Sequence, residues 1–184
     1  MLDELEYVVS EYIDAEDEPP FWYNEAASVS MLVAAAARRK YIAISDYRAE
    51  KEKERKNVNG RCDLYISHEK NCVNIEAKMT YVRPNNIRER LDTAMVRAIK
   101  DAGCLKNCDA PAGLVFGVFS LSLSDGRDRS WQNSKQEIAG FKKEIEILDP
   151  DLYWMWWDTD GYDRYHVEEE TRFHPGFAVL LKSA

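Results

Sequence analysis

Two short segments carry residues able to do chemistry: Asp63 in "RCDLYIS", and Glu76 and Lys78 in "NCVNIEAKMT". Two carboxylates can hold a hard divalent cation, and an amine beside them can orient water. Both segments alternate apolar and polar residues, and "HEKN" joins them, so they read as a β-hairpin. The i, i+2 spacing puts Glu76 and Lys78 on one face of a strand. A symmetric turn centred between Glu69 and Lys70 would set Asp63 against Glu76 and Arg61 against Lys78. Cys62, Leu64 and Ile66 would then meet Ala77, Ile75 and Val73 on the other face. Like charges opposed across strands forfeit about 0.2–1 kcal/mol per pair, and a cation between the carboxylates with a phosphate beside the basic pair would remove both conflicts. A slip of two residues would instead make an ordinary Asp63–Lys78 ion pair. Taken singly, each of these residues is most often a surface charge.

The elements that must position them follow from periodicity. Leu2, Leu5, Val8, Val9, Tyr12 and Ile13 recur at helical spacing to about Asp14, and "DAEDEPP" ends that helix. A second helix begins between Pro20 and Asn24, with Glu25, Val29, Leu32 and Ala36 on one side. Glu25 thus stands at the edge of a buried stripe, in a first turn where an acid also favours the helix dipole. "YIAISDY" reads as a strand and "RAEKEKERKNVNG" as a charged connection, either a solvated hairpin tip or a loop that touches nucleic acid. After the hairpin, "RPNNIRERLDTAMVRAIKDAG" is a helix with Ile87, Leu91, Ala94, Met95, Ala98 and Ile99 inward, ending at Gly103. "GLVFGVFSLSL" has the near-continuous apolar run of a strand buried on both faces. Strand, helix, strand in that order implies a parallel crossover. "WQNSKQEIAGFKKEIEIL" adds a helix, "LYWMWWD" a strand that reads as buried by helices on both sides, and "GFAVLLKS" a last strand. The expected fold is α/β: a three-layer sandwich with a mixed sheet flanked by helices. One domain of 184 residues divides into an N-terminal helical extension at 1–19, a core at about 20–122, and a C-terminal helix with aromatic-rich strands at 123–184.

Charge is unevenly spread. The net charge of −8 comprises −9 over residues 1–25, +7 over 38–100 and −6 over 101–184, so the basic charge lies around the hairpin. The longest apolar run, near Met31 to Ala37, is too short to span a bilayer, and "MLDELEYVVS" lacks the features of a secretory signal. The expectation is a cytoplasmic protein without a membrane partner. Cysteines 62, 72, 104 and 108 form no CxxC pair; reduced thiols are the reading, with a metal at Cys104-x3-Cys108 the lesser alternative. His166 and His174 lack a partner in sequence and receive no role. "YWMWWDTDGYDRYHV" holds six aromatics in fifteen residues and suits a core strand, base stacking or a dimer contact.

Asp63, "EAK" at 76–78, Glu25 and the order of elements from about residue 20 to 122 together resemble the PD-(D/E)xK nuclease superfamily, the restriction-endonuclease-like fold with its αβββαβ core. Cys62 stands where the family usually has proline, and the glutamine and tyrosine of the exonuclease-type helix are missing from "RERLDTAMVRAIK". The resemblance implies a Mg²⁺-dependent phosphodiesterase, with Mn²⁺ able to substitute, acting on nucleic acid and most naturally on DNA. It assigns Asp63, Glu76 and the backbone carbonyl of Ala77 to the metal, with a direct or water-mediated contact from Glu25. Lys78 would orient the attacking water and help deprotonate it. Arg61, Arg38, Arg39, Arg83, Arg88 and Tyr81 are candidates to touch the nucleic acid. A homodimer or a larger protein complex is the assembly such a stand-alone chain suggests. The rival expectation is a non-catalytic protein-interaction module that keeps the fold.

Overall fold

A computed structural model describes residues 1–16, 18–53, 56–106, 110–122, 131–157 and 172–184. Among them, six strands form one open mixed sheet, β1 (Ile42–Lys53), β2 (Lys56–His68), β3 (Asn71–Val82), β4 (Pro111–Ser122), β5 (Leu152–Trp157) and β6 (Arg172–Ser183). The order across the sheet is β1-β2-β3-β4-β6-β5. Only β3 and β4 are parallel; the other four neighbouring pairs are antiparallel.

Four helices cover the two faces of this sheet. α1 (Leu2–Glu16) and α2 (Glu25–Arg38) supply Leu5, Val9, Val29 and Leu32 to a core shared with Leu64, Ile66, Ile75, Ala77, Leu114 and Phe116. α3 (Ile87–Ala102) and α4 (Trp131–Ile147) pack Leu91, Ala98, Phe141 and Ile145 against Val82, Val115 and Phe119 on the other face. Each fully buried leucine or phenylalanine in these clusters contributes about 1.5–3 kcal/mol. No helix among the described residues is long and apolar enough to cross a membrane.

The helix boundaries have local causes. Proline at 20 opens a short 3-10 turn (Pro20–Trp22) rather than α2 itself, which starts at Glu25 behind an Asn24 cap whose side chain accepts the Ala27 amide at 2.9 Å. α3 buries the stripe read from its sequence and stops at Gly103. It lies directly on β4: a Cβ at Gly113 would come within 2.6 Å of the Ile99 backbone nitrogen. Only glycine permits that approach.

Two sequence expectations change here. The charged run after Tyr47 is not simply a connection, because β1 continues to Lys53 and β2 begins at Lys56, paired from Arg48↔Arg61 to Lys53↔Lys56. Charged side chains tolerate a strand when one edge of it is free, and β1 is the sheet's edge. Its end is further held by backbone bonds to the segment after α3, Glu52 N–H to Cys104 O at 2.7 Å and Lys106 N–H to Glu50 O at 2.9 Å. The aromatic strand β5, read as buried by helices on both sides, is the opposite edge of the sheet, so its rings are only half-buried. Trp154 and Trp156 still pack on one core cluster, and Tyr153, Met155 and Trp157 on the other. The rest of that aromatic segment, the loop at 125–129, Cys108 and His166 lie outside the described residues.

Candidate active site

The turn at Glu69, in the left-handed region with φ 56°, closes the hairpin in the symmetric register. Leu64 faces Ile75, Ile66 faces Val73 and His68 faces Asn71. This ladder ends at Leu64↔Ile75, so neither Asp63↔Glu76 nor Arg61↔Lys78 is a ladder pair. Instead the Asp63 side chain takes the place of a backbone acceptor: its Oδ2 receives the Ala77 amide at 2.7 Å. Ala77 is fully buried, so that amide would otherwise be an orphaned donor. Arg61 turns outward into an ion pair with Asp46, a residue that bends β1 in a left-handed conformation. The opposed cations of the simple register are thereby avoided.

Glu76 is almost wholly buried, with 3% of its surface exposed, and burial raises its carboxyl above the usual range. The charge of Asp63 adds to that rise, while Lys51 opposes it. Lys51 Nζ lies 2.7 Å from Glu76 Oε1, at an angle outside good hydrogen-bond geometry, so the contact is an ion pair first. Lys51 comes from the charged run, and its chemistry is invisible until β1 is seen to fold over β2. Its stem crosses Gly60, where an added Cβ would stand 2.9 Å from Lys51 Cδ. A glycine amid charged residues is the one local sign of that crossing.

Lys78 is half-buried. Its Nζ donates to the Ala77 carbonyl at 2.8 Å and pairs with Asp101 at the end of α3 at 3.0 Å. Burial alone would pull this ammonium down; Asp101, by hydrogen bond and charge, together with Glu25 and Asp63, outweighs burial and leaves it raised. Glu25 reaches the group from the first turn of α2. Burial raises its carboxyl; the Lys78 charge and the Met79 backbone amide draw it down, and Asp63 pushes it up. Asp63 and Lys78 therefore act electrostatically on each other and on both Glu76 and Glu25, and Lys51 and Asp101 are members that the sequence pattern missed. Asp101 lies beyond the reach of any local spacing rule, since a whole crossover helix brings it to Lys78.

The donors fit a hard divalent ion by type, since all are carboxylate or carbonyl oxygens. Two of them already hold cations, Lys51 on Glu76 and Lys78 on the Ala77 carbonyl. Among the described residues, however, no three His, Cys, Asp or Glu side chains converge closely enough to enclose a metal as they stand.

The nucleic-acid candidates are dispersed. Arg38 and Arg39 sit at the far end of α2 from Glu25, tied to α1: Arg38 to Glu4 at 2.8 Å and over the Tyr7 ring at 3.8 Å, Arg39 to Asp3 at 3.2 Å. Arg88 pairs with Glu144 at 2.7 Å. Arg83 precedes α3, its amide bonded to Asn86. The Tyr81 hydroxyl donates to the Trp22 carbonyl at 3.2 Å, joining β3 to the turn before α2. Among these, Tyr81 and Arg83 are nearest Lys78 along the chain.

No family model, no curated protein and no solved structure matches this chain.

Proposed function

We propose that this chain is a metal-dependent nuclease with a restriction-endonuclease-like core, hydrolysing phosphodiester bonds of nucleic acid, DNA before RNA. The observation that carries this reading is the meeting of Asp63, Glu76, Lys78 and Glu25 at the point where the β2–β3 ladder opens. A structural ion-pair network has no need of an Asp63 that repels two other carboxylates, Glu25 and Glu76, both with raised proton affinity, in one half-buried place.

Asp63, Glu76 and the Ala77 carbonyl would hold Mg²⁺ or Mn²⁺, with Glu25 adding a contact. The bound ion supplies Lewis-acid polarisation of the phosphate and a more acidic water. The chain's own groups do the rest. Lys78, held as an ammonium by Asp101, Glu25 and Asp63, donates a hydrogen bond and so orients water or a phosphate oxygen. That charge state favours orienting over deprotonation. Glu25, whose burial raises its proton affinity, is the carboxylate suited to take the water's proton. Burial of Glu76 keeps competing water from its carboxylate.

The test is incubation of linear, circular and single-stranded DNA with Mg²⁺ or Mn²⁺, using wild type, Glu76→Ala and Lys78→Ala. Metal-dependent cutting that both variants lose is the expected result. No cutting by any form, with no thermal stabilisation by either ion, would end the enzyme reading. The neutralisation of Glu76 by Lys51, and the lack of three converging donors among the described residues, favour as second reading a non-catalytic protein-binding module of the same fold.

A further inference from the structure

Lys51 is the least expected member of the group. It lies within a run of alternating charges on the edge strand, where lysine ordinarily points to water. Here its side chain is only 14% exposed and meets a Glu76 side chain that is 4% exposed. Holding a long cationic side chain inside costs rotamer freedom and hydration, so the fold must fix its path. Two features do so. Gly60 leaves room for the stem, which an added Cβ there would meet at 2.9 Å, and a bridge between Lys51 and Leu105, flanked by the backbone bonds of Glu52 N–H to Cys104 O and of Lys106 N–H to Glu50 O, clamps the end of β1.

We propose that Lys51 is an internal cation of the active site, occupying Glu76 in the metal-free protein and competing with the divalent ion for it. This rests on the nuclease reading and goes beyond it by assigning the site a gate. In the metal-free state the ammonium holds the Glu76 side chain in place through the contact at 2.7 Å. When the divalent ion takes Glu76, the two cations repel at short range, and Lys51 leaves the carboxylate. The released ammonium then stands at the rim of the site on a flexible stem, free to contact a phosphate of the nucleic acid.

The test is calorimetric titration of Mn²⁺ at mildly alkaline pH into wild type, Lys51→Met and Asp63→Ala, without nucleic acid. Lys51→Met keeps the length of the stem and removes the charge, and the expected result is Mn²⁺ binding tighter by roughly tenfold. Gly60→Ala carries the same test should Lys51→Met fail to fold: the new methyl pushes the Lys51 stem aside without altering any charge, for an expected gain of about two- to threefold. A direct readout is acetylation of Lys51 measured by mass spectrometry, slow in the metal-free wild type and several-fold faster with saturating Mn²⁺. Mn²⁺ binding that wild type shows and Asp63→Ala loses, but that Lys51→Met leaves unchanged or weakens, would overturn the gate and leave the nuclease reading intact. Absence of Mn²⁺ binding in both wild type and Lys51→Met would overturn both.

Discussion

The two ends of the β2–β3 pair are built on opposite principles. From Leu64↔Ile75 to His68↔Asn71 the ladder is regular, and its inward side chains join the larger core cluster. One residue beyond, at Asp63, pairing stops, a side chain substitutes for a backbone acceptor, and buried charges gather. The same two strands thus supply stability at one end and surrender it at the other. On the proposed reading, such local conflict bordered by a well-packed frame is the place kept for chemistry.

The contrast can be broken most sharply at Asp63. Asp63→Ala removes both a carboxylate of the site and the acceptor for the buried Ala77 amide. Cleavage should fall on the order of 10²–10⁴-fold and stability by about 1–3 kcal/mol. Asp63→Asn keeps an acceptor oxygen, so denaturant melts should recover most of the stability while activity stays lost. If both variants behaved alike in melts, the capping role would be refuted.

At the regular end the effects should separate the other way. Ile75→Ala, at a position 3% exposed, should cost about 2–5 kcal/mol in urea unfolding. Cleavage per folded molecule should stay near that of wild type, because Ile75 faces away from Glu76. A large loss of specific activity would mean that the two ends are not independent.

The smallest effect is the most diagnostic. The Glu25 carboxyl is raised above its ordinary 4.5 by burial, so the folded state holds its proton more tightly than the unfolded chain. Its contribution therefore declines as pH climbs through the range above 4.5, and the ionised group opposes folding at neutral pH. Glu25→Gln should melt slightly higher than wild type in metal-free buffer at neutral pH, with the difference vanishing in acid. An equal or lower melting temperature at neutral pH would show that Lys78 and the Met79 amide fully compensate the burial.

What the sequence made legible was what local pattern controls. The hairpin register was readable because the alternation of Leu64 and Ile66 against Ile75 and Val73 excludes a one-residue slip and a turn centred between Glu69 and Lys70 makes it symmetric, and α3 because its stripe keeps helical period. That Asp63, Glu76 and Lys78 come near one another was readable for the same reason. Lys51 and Asp101 were not, since each reaches the site through tertiary geometry: one by the fold of β1 over Gly60, the other by the crossover through α3. The β5 rings pack on both faces as read but are only half-buried, because strand order, not composition, decides which strand is an edge. Arg61 was placed beside Lys78 by extending the ladder past the point where it opens.

The crossover also bears on the order of assembly in time. β1, β2 and β3 follow one another both along the chain and across the sheet, whereas β4 reaches β3 only after α3 has intervened. Contacts between near neighbours in the chain close faster than distant ones, so the hairpin that joins Asp63 to the Ala77 amide should be in place before Asp101 arrives at Lys78. A folding chain would then carry its charged cluster for a time with one counter-charge missing. In a chevron plot, Leu64→Ala should slow refolding, whereas Asp101→Asn should act on the unfolding limb alone.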